Sequence, residues 1–107
     1  MGYQTSYSLI AEEATDTELD QILEMLDTLG VIDYALDEEF NCFEPCNWYD
    51  YEEDMLKVSS AFHKVHFILC GEGSLNEDIW EHHFWAGKSA RYDAEIRIPS
   101  LNMDDLK

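Results

Sequence analysis

The chain has 107 residues, of which 46% are hydrophobic and 13% aromatic, and its formal net charge is −18 at pH 7. The hydrophobic fraction excludes a wholly disordered chain, and the length indicates a single acidic domain over residues 1–107. The negative charge excludes direct binding to nucleic acid or to an anionic membrane, and no apolar run is long enough to span a bilayer.

The first third of the chain predicts a strand, a helix and a second strand. Residues 3–10 alternate loosely and end apolar, which is typical of a strand. Thr15 and Glu18 have the spacing of a capping box, and Gly30 is placed to end the helix that follows. Residues 31–37 alternate apolar and polar side chains, so they predict a half-buried strand. The apolar stripe of the helix consists of Leu19, Ile22, Leu23, Leu26 and Leu29.

An irregular segment with Pro45 in its middle separates these elements from a second helix. That helix is predicted to begin at Asp50–Glu53 and to end near His63. Its expected buried face consists of Tyr51, Met55, Val58 and Phe62.

Three further strands are predicted at residues 65–70, 79–86 and 90–98, with a loop at 71–78 that begins with the turn Gly71-Glu72-Gly73. The last strand alternates most regularly. Its inward-facing side chains are predicted to be Tyr92, Ala94, Ile96 and Ile98, and its outward-facing ones Arg91, Asp93, Glu95 and Arg97. The order β-α-β-α-β-β-β predicts an α+β two-layer sandwich, in which two helices cover a mostly antiparallel, ferredoxin-like sheet of about five strands.

Charge is distributed unevenly along the chain. The first 56 residues contain sixteen Asp or Glu and no Lys, Arg or His, and all six Lys or Arg lie in the second half. Solubility of a small domain needs a net charge of only about 2–8 in magnitude, so the excess indicates a strongly basic partner.

One face of the first helix carries Asp16, Asp20, Glu24 and Asp27. Such a stripe places carboxylates about 5–6 Å apart, close to the phosphate separation along a DNA strand. The stripe is a candidate surface for binding the Lys and Arg side chains of a nucleic-acid-binding protein. The alternative is a solvated helix face with no partner.

Residues 37–54 mix eight acids with five aromatics and contain no basic residue. Protein interfaces place aromatic side chains at their centres, and Arg both stacks on aromatic rings and pairs with carboxylates. The alternative is that Phe40, Phe43 and Trp48 fold into the core. The candidate partner-binding residues of this stretch are Asp37, Glu38, Glu39, Glu44, Trp48, Tyr49, Asp50, Tyr51, Glu52 and Glu53.

Metal binding and catalysis receive less support from the sequence. Cys42, Cys46, His63 and His66 could supply four zinc ligands, but three residues separate the cysteines where the usual knuckle has two. We therefore expect no metal and no cofactor, and the sequence offers no catalytic pair, so we expect no enzymatic activity. Three cysteines without a secretory signal indicate free thiols and a cytoplasmic location.

The run HFILCGEGSLNEDIWEHHFWAGKSARYDAEIRIP resembles the strand meander of small ferredoxin-like proteins encoded by phages and mobile elements. Four short motifs carry this resemblance: Gly71-Glu72-Gly73, Asp78-Ile79-Trp80, Gly87-Lys88 and Ala94-Glu95-Ile96. The charge profile is similar to that of phage-encoded DNA mimics, which block restriction enzymes, CRISPR effectors and other DNA-binding proteins of the host. The resemblance implies an anti-defence role.

The resulting hypothesis is a non-catalytic inhibitor that occupies the nucleic-acid site of a bacterial defence nuclease, either a CRISPR effector or a restriction nuclease, in the infected host cell. An immunity protein or antitoxin that neutralises a basic nuclease toxin is the alternative. A metal-binding regulatory domain is a third possibility, and the sequence leaves the oligomeric state open.

Overall fold

The computed structural model describes residues 4–73 and 79–94 of the chain. They form strand β1 (Thr5–Glu12), helices α1 (Asp16–Thr28) and α2 (Tyr51–Ala61), and strands β2 (His66–Gly73), β3 (Ile79–Trp85) and β4 (Lys88–Ala94). The sheet order is β1-β2-β3-β4, and every neighbouring pair is antiparallel. The α+β class is confirmed. The described sheet has four strands instead of five, and because its strands follow chain order a ferredoxin-like topology is not confirmed.

Helix α1 begins and ends at the residues that the sequence indicates. The Thr15 hydroxyl accepts the Glu18 N–H at 3.1 Å, and the Glu18 carboxylate accepts the Thr15 N–H at 3.2 Å, which completes the capping box. At the other end Gly30 has φ 81°, its N–H donates to the carbonyl of Asp27, and the N–H of Val31 donates to that of Leu26. This is the Schellman arrangement, which satisfies carbonyls that the helix leaves unpaired.

The strand predicted at residues 31–37 is a tight turn in the structure. The N–H groups of Tyr34, Ala35 and Leu36 all donate to the carbonyl of Val31, at 3.0–3.2 Å. Asp33 has φ 62°, a left-handed conformation that an extended strand cannot contain. The alternating pattern was misleading because the residues fully buried here, Val31, Ala35 and Leu36, do not alternate.

Residues 29–50, the connecting segment, run from α1 to α2 and cover part of the outer edge of β1. Thr5 and Cys46 exchange two backbone hydrogen bonds of 3.0 Å, and the Leu9 N–H donates to the Phe40 carbonyl at 2.8 Å. An uncovered edge strand is a template for pairing with other chains. The connecting segment therefore protects β1 and is itself fixed to the sheet.

The two faces of the sheet have different surroundings. Tyr7, Leu9, Phe67, Leu69 and Phe84 are buried on the face that the helices cover. Helix α2 contacts β3 and β4, and α1 contacts α2. The opposite face, the open face, has no helix over it in the described part of the chain and exposes Ile10, Trp85 and Tyr92.

The structure corrects two details of the predicted strands. Tyr92 was predicted to face inward, but it lies on the open face and is 61% exposed, whereas Arg91 lies over the ring of Trp80 on the helix side. Gly71 and Gly73 were predicted as a turn, but they are the last part of β2. Residues 95–98 of the predicted last strand and 74–78 of the predicted loop lie outside the described residues.

No helix within the described ranges is long and apolar enough to cross a membrane.

Candidate functional site

An acidic surface lies between α1 and the turn that follows it. Asp20, Glu24 and Asp27 on α1 line a groove of about 460 Å³ together with Asp33 and Glu38. An adjoining groove is also lined by Asp33 and Glu38, and it adds Asp37, Glu39 and Phe43. We call these two grooves the acidic surface. The structure thus brings together candidates that are up to nineteen positions apart, from Asp20 to Glu39.

Asp37 holds the second groove in shape. Its carboxylate oxygen Oδ1 accepts the N–H groups of Glu39 at 2.8 Å and of Asn41 at 3.0 Å. This arrangement is an Asx turn, in which an Asp side chain accepts hydrogen bonds from backbone N–H groups a few residues further along the chain. The backbone of Phe40, with φ 66°, lies in the same turn and places its ring in the core. Asp37 is therefore half-buried and structural, while Glu38 and Glu39 are exposed.

The acids of this surface have no neutralising partner among residues 4–73 and 79–94. None of Asp20, Glu24, Asp27, Asp33 and Glu38 forms an ion pair with a described residue. Within residues 4–73 and 79–94, Lys and Arg form two ion pairs, Lys57–Glu53 at 3.8 Å and Arg91–Asp93 at 3.0 Å, and neither touches these grooves. The negative electrostatic potential of the acidic surface is therefore not neutralised by the described residues, and it can attract a cationic partner.

Exposed aromatic side chains lie beside the acids: Tyr49, which was a candidate, and Phe43 and Tyr34, which were not. Phe43 is 45% exposed and lines the second groove. Tyr34, 47% exposed, and Tyr49, 84% exposed, line a neighbouring groove together with Asp50 at the start of α2. Arg side chains stack on such rings while pairing with nearby carboxylates.

Of the candidate aromatics, Trp48 is a core residue and Tyr51 is half-buried against the core. Trp48 is only 5% exposed, its indole N–H donates to Asp54 at 2.8 Å, and its ring packs against Tyr7 and Tyr51. Tyr51 stacks on Trp80 with ring centroids 5.0 Å apart. Trp48 thus folds into the core, which was the alternative interpretation, and contributes little surface to the groove beside Tyr49. The burial of Trp48 corrects the prediction that its ring forms part of a contact surface, whereas Tyr51 is half-buried and its role in binding stays a prediction.

The remaining acidic candidates are exposed but scattered. Asp16 and Glu44 line neither groove of the acidic surface, and Glu52 and Glu53 occupy the first turn of α2, where Glu53 pairs with Lys57. Sequence reasoning left Phe43 out of the partner-binding set, and the alternative weighed for Phe43 was that its ring folds into the core.

The thiols and the buried histidine do not form a nucleophilic site. All three cysteines are free, and burial raises the pKa of the Cys46 and Cys70 thiols, which keeps them protonated and weakly nucleophilic. Burial lowers the pKa of His82, whose Nδ1 lies 3.0 Å from the Tyr51 hydroxyl inside the core. These groups are consistent with structural roles.

The four-ligand zinc site considered from the sequence is not assembled. Among residues 4–73 and 79–94, no three His, Cys, Asp or Glu side chains are grouped so that they could hold a metal ion. The ring of His66 instead contacts His83 on β3, and the carbonyl of His63 accepts the indole N–H of Trp85.

Comparison with protein-family models, curated proteins and solved structures gives no match to this chain. Functional inference therefore rests on the chemistry of the described residues.

Proposed function

We propose that the protein is a non-catalytic inhibitor that occupies the cationic nucleic-acid-binding site of a bacterial defence nuclease, acting as a protein mimic of DNA. The observation that carries the proposal is the acidic surface. Carboxylates from α1 and from the following turn line adjoining grooves, lack a described cationic partner, and have Phe43 beside them.

The chemistry of nucleic-acid sites explains why such a surface would be recognised. Proteins bind DNA chiefly through Lys and Arg contacts to phosphates. The α1 acids recur about one helical turn apart, at a spacing of roughly 5–6 Å. The α1 acids then stand in for a row of phosphates, and the exposed ring of Phe43 provides a stacking surface for an Arg side chain.

Electrostatics also supports this mode of action. A net charge of −18 attracts a basic protein over a distance, which speeds association and makes it salt-dependent. The same charge prevents the protein from binding nucleic acid itself. A CRISPR effector or a restriction nuclease in the cytoplasm of an infected bacterium has the cationic channel that this surface fits, and a phage origin of the protein accords with such a target.

The test is a DNA-cleavage assay with a panel of purified CRISPR effectors and restriction nucleases. We expect one of them to be inhibited, and excess substrate DNA should relieve the inhibition because the two compete for one site. The double reversal Asp20→Lys with Glu24→Lys should weaken inhibition by more than about a hundredfold, because close charge pairs at interfaces couple by several kcal/mol.

A matched control reverses two exposed acids on the open face, Glu72→Lys with Glu81→Lys, and changes the net charge by the same amount. This control should inhibit nearly as well as the wild type. A ternary complex in which the nuclease binds DNA with unchanged affinity would refute mimicry. Inhibition confined to a nuclease toxin would instead identify an immunity protein.

A further inference from the structure

Four side chains on the open face form one hydrogen-bonded row across strands β1, β2 and β3. Glu12 Oε2 lies 3.3 Å from His66 Nδ1, His66 Nε2 lies 2.8 Å from His83 Nδ1, and His83 Nε2 lies 3.2 Å from Glu81 Oε2. The pairing of the strands produces the row, because Glu12 faces His66 in the register of β1 with β2. We call His66 and His83 the histidine pair.

The two outer carboxylates determine which ring nitrogens carry protons. An ionised carboxylate can only accept a hydrogen bond, so Nδ1 of His66 and Nε2 of His83 must each be the N–H that donates to it. In the neutral imidazoles, the other nitrogens then have lone pairs and no proton. These two lone pairs face each other across 2.8 Å, an arrangement that needs a cation between them.

We propose that the histidine pair binds a divalent transition-metal ion, with zinc as the physiological candidate, through Nε2 of His66 and Nδ1 of His83. Metal-binding histidines almost always donate their second N–H to a carboxylate or carbonyl, which orients the ring and raises its basicity. Glu12 and Glu81 provide this contact for both rings. Imidazole nitrogen is a ligand that suits Zn²⁺, Cu²⁺ and Ni²⁺.

The spacing of the rings fits one shared ion. Metal–nitrogen bonds of about 2.0–2.1 Å, at a square-planar or tetrahedral angle, place two imidazole centroids roughly 4.5–5.2 Å apart. The centroids of His66 and His83 are 4.9 Å apart. The two ligand nitrogens are 2.8 Å apart, close to the roughly 2.9 Å that a right angle at the ion requires, whereas a tetrahedral angle requires roughly 3.4 Å. Binding therefore requires the rings to rotate so that both lone pairs point to one side, with a slight separation of the nitrogens for a tetrahedral ion.

Neighbouring aromatic rings hold the pair in place and leave an open side. Trp85 stacks on His66 with centroids 5.4 Å apart and planes 15° apart, and Tyr92 meets His83 edge-on at 5.4 Å. A cavity of about 350 Å³ is lined by both histidines, Trp85 and Tyr92. Because the described residues supply two nitrogen ligands and no third, water molecules complete the coordination there.

The test is a calorimetric titration of the protein with Zn²⁺ in millimolar Mg²⁺, which occupies the many oxygen-only carboxylate sites. We expect one stoichiometric phase. His66→Gln and His83→Gln should each abolish it, and Glu12→Gln should weaken it about tenfold or more, because loss of a carboxylate behind a ligand histidine has this effect. The protein loaded with Co²⁺ should show the absorption of nitrogen and oxygen ligands without thiolate charge-transfer bands.

His63→Gln is the matched control, because the His63 ring is exposed and its contact with Trp85 is made by the backbone carbonyl, which the substitution keeps. This variant should bind Zn²⁺ as the wild type does. Thiolate bands, or equal losses in His63→Gln and His83→Gln, would overturn the proposal. So would the absence of a stoichiometric phase in the wild type, which would leave a shared proton as the bond between the two rings.

Discussion

Gly71 on β2 lies directly opposite Trp80 on β3, and the indole of Trp80 occupies the space where any other residue would place its Cβ. We predict that Gly71→Ala lowers the free energy of unfolding by about 1–3 kcal/mol, since overpacking of a buried site has this cost. Urea denaturation, monitored by circular dichroism, measures the change.

A double-mutant cycle separates the steric clash between the added methyl group at position 71 and the Trp80 indole from other effects of Gly71→Ala. In a Trp80→Leu background the indole is gone, so adding Gly71→Ala should cost much less than it does in the wild type. Equal costs in both backgrounds would show that Trp80 does not set the requirement for glycine. The first glycine of the Gly71-Glu72-Gly73 motif thus has a packing role within a strand, which sequence alone did not indicate.

At the scale of elements, the connecting segment depends on Asp37. We predict that Asp37→Ala lowers the free energy of unfolding by about 1–2 kcal/mol, because two backbone N–H groups lose their acceptor. Asp37→Asn keeps an oxygen in the same place and should remain close to the wild type in urea denaturation. If Asn destabilises as much as Ala does, the charge of Asp37, and not its hydrogen bonds, stabilises the segment.

Both helices could be predicted from the sequence because local signals determine them. The Thr15–Glu18 capping box and Gly30 mark the ends of α1, and in α2 Met55 and Val58 are fully buried as the helical period requires. The connecting segment could not be predicted, because its backbone bonds to β1 are made between residues more than thirty positions apart. The side-chain direction of Tyr92 was also missed because it depends on strand pairing: the register of β4 with β3 places Tyr92 on the open face.

The acidic residues of the candidate site could be predicted from the sequence, but the grooves that they line could not. The acidic stripe on α1 follows from its spacing, whereas the grooves exist because a turn places Asp33 and Glu38 beside it. The histidine pair was hidden because His66 and His83 meet only through the pairing of β2 with β3. Sequence separation limited the prediction of the histidine pair, whereas the grooves were missed because the alternating pattern of residues 31–37 indicated a strand in place of a turn.

At the scale of the whole molecule, repulsion among acids opposes folding. Raising NaCl from low concentration to about 0.5 M should therefore raise the Tm measured by calorimetry, because salt screens exposed charges. The triple variant Asp20→Asn, Glu24→Gln, Asp27→Asn removes part of the repulsion and should show a smaller increase. A Tm that falls with added salt would contradict this account.

The place of β1 in the sheet has a consequence for how the chain folds. Strands β2, β3 and β4 are neighbours in sequence, so their pairing closes only short loops, whereas β1 pairs with β2 across residues 13–65. Closing a long loop costs conformational entropy before the strand contacts that stabilise it have formed, so long-range pairing slows folding. During synthesis β1 emerges first but has no partner strand until β2 has left the ribosome. We expect the β2–β4 meander to form early and β1 to dock last, bringing the connecting segment and its carboxylates into their final arrangement.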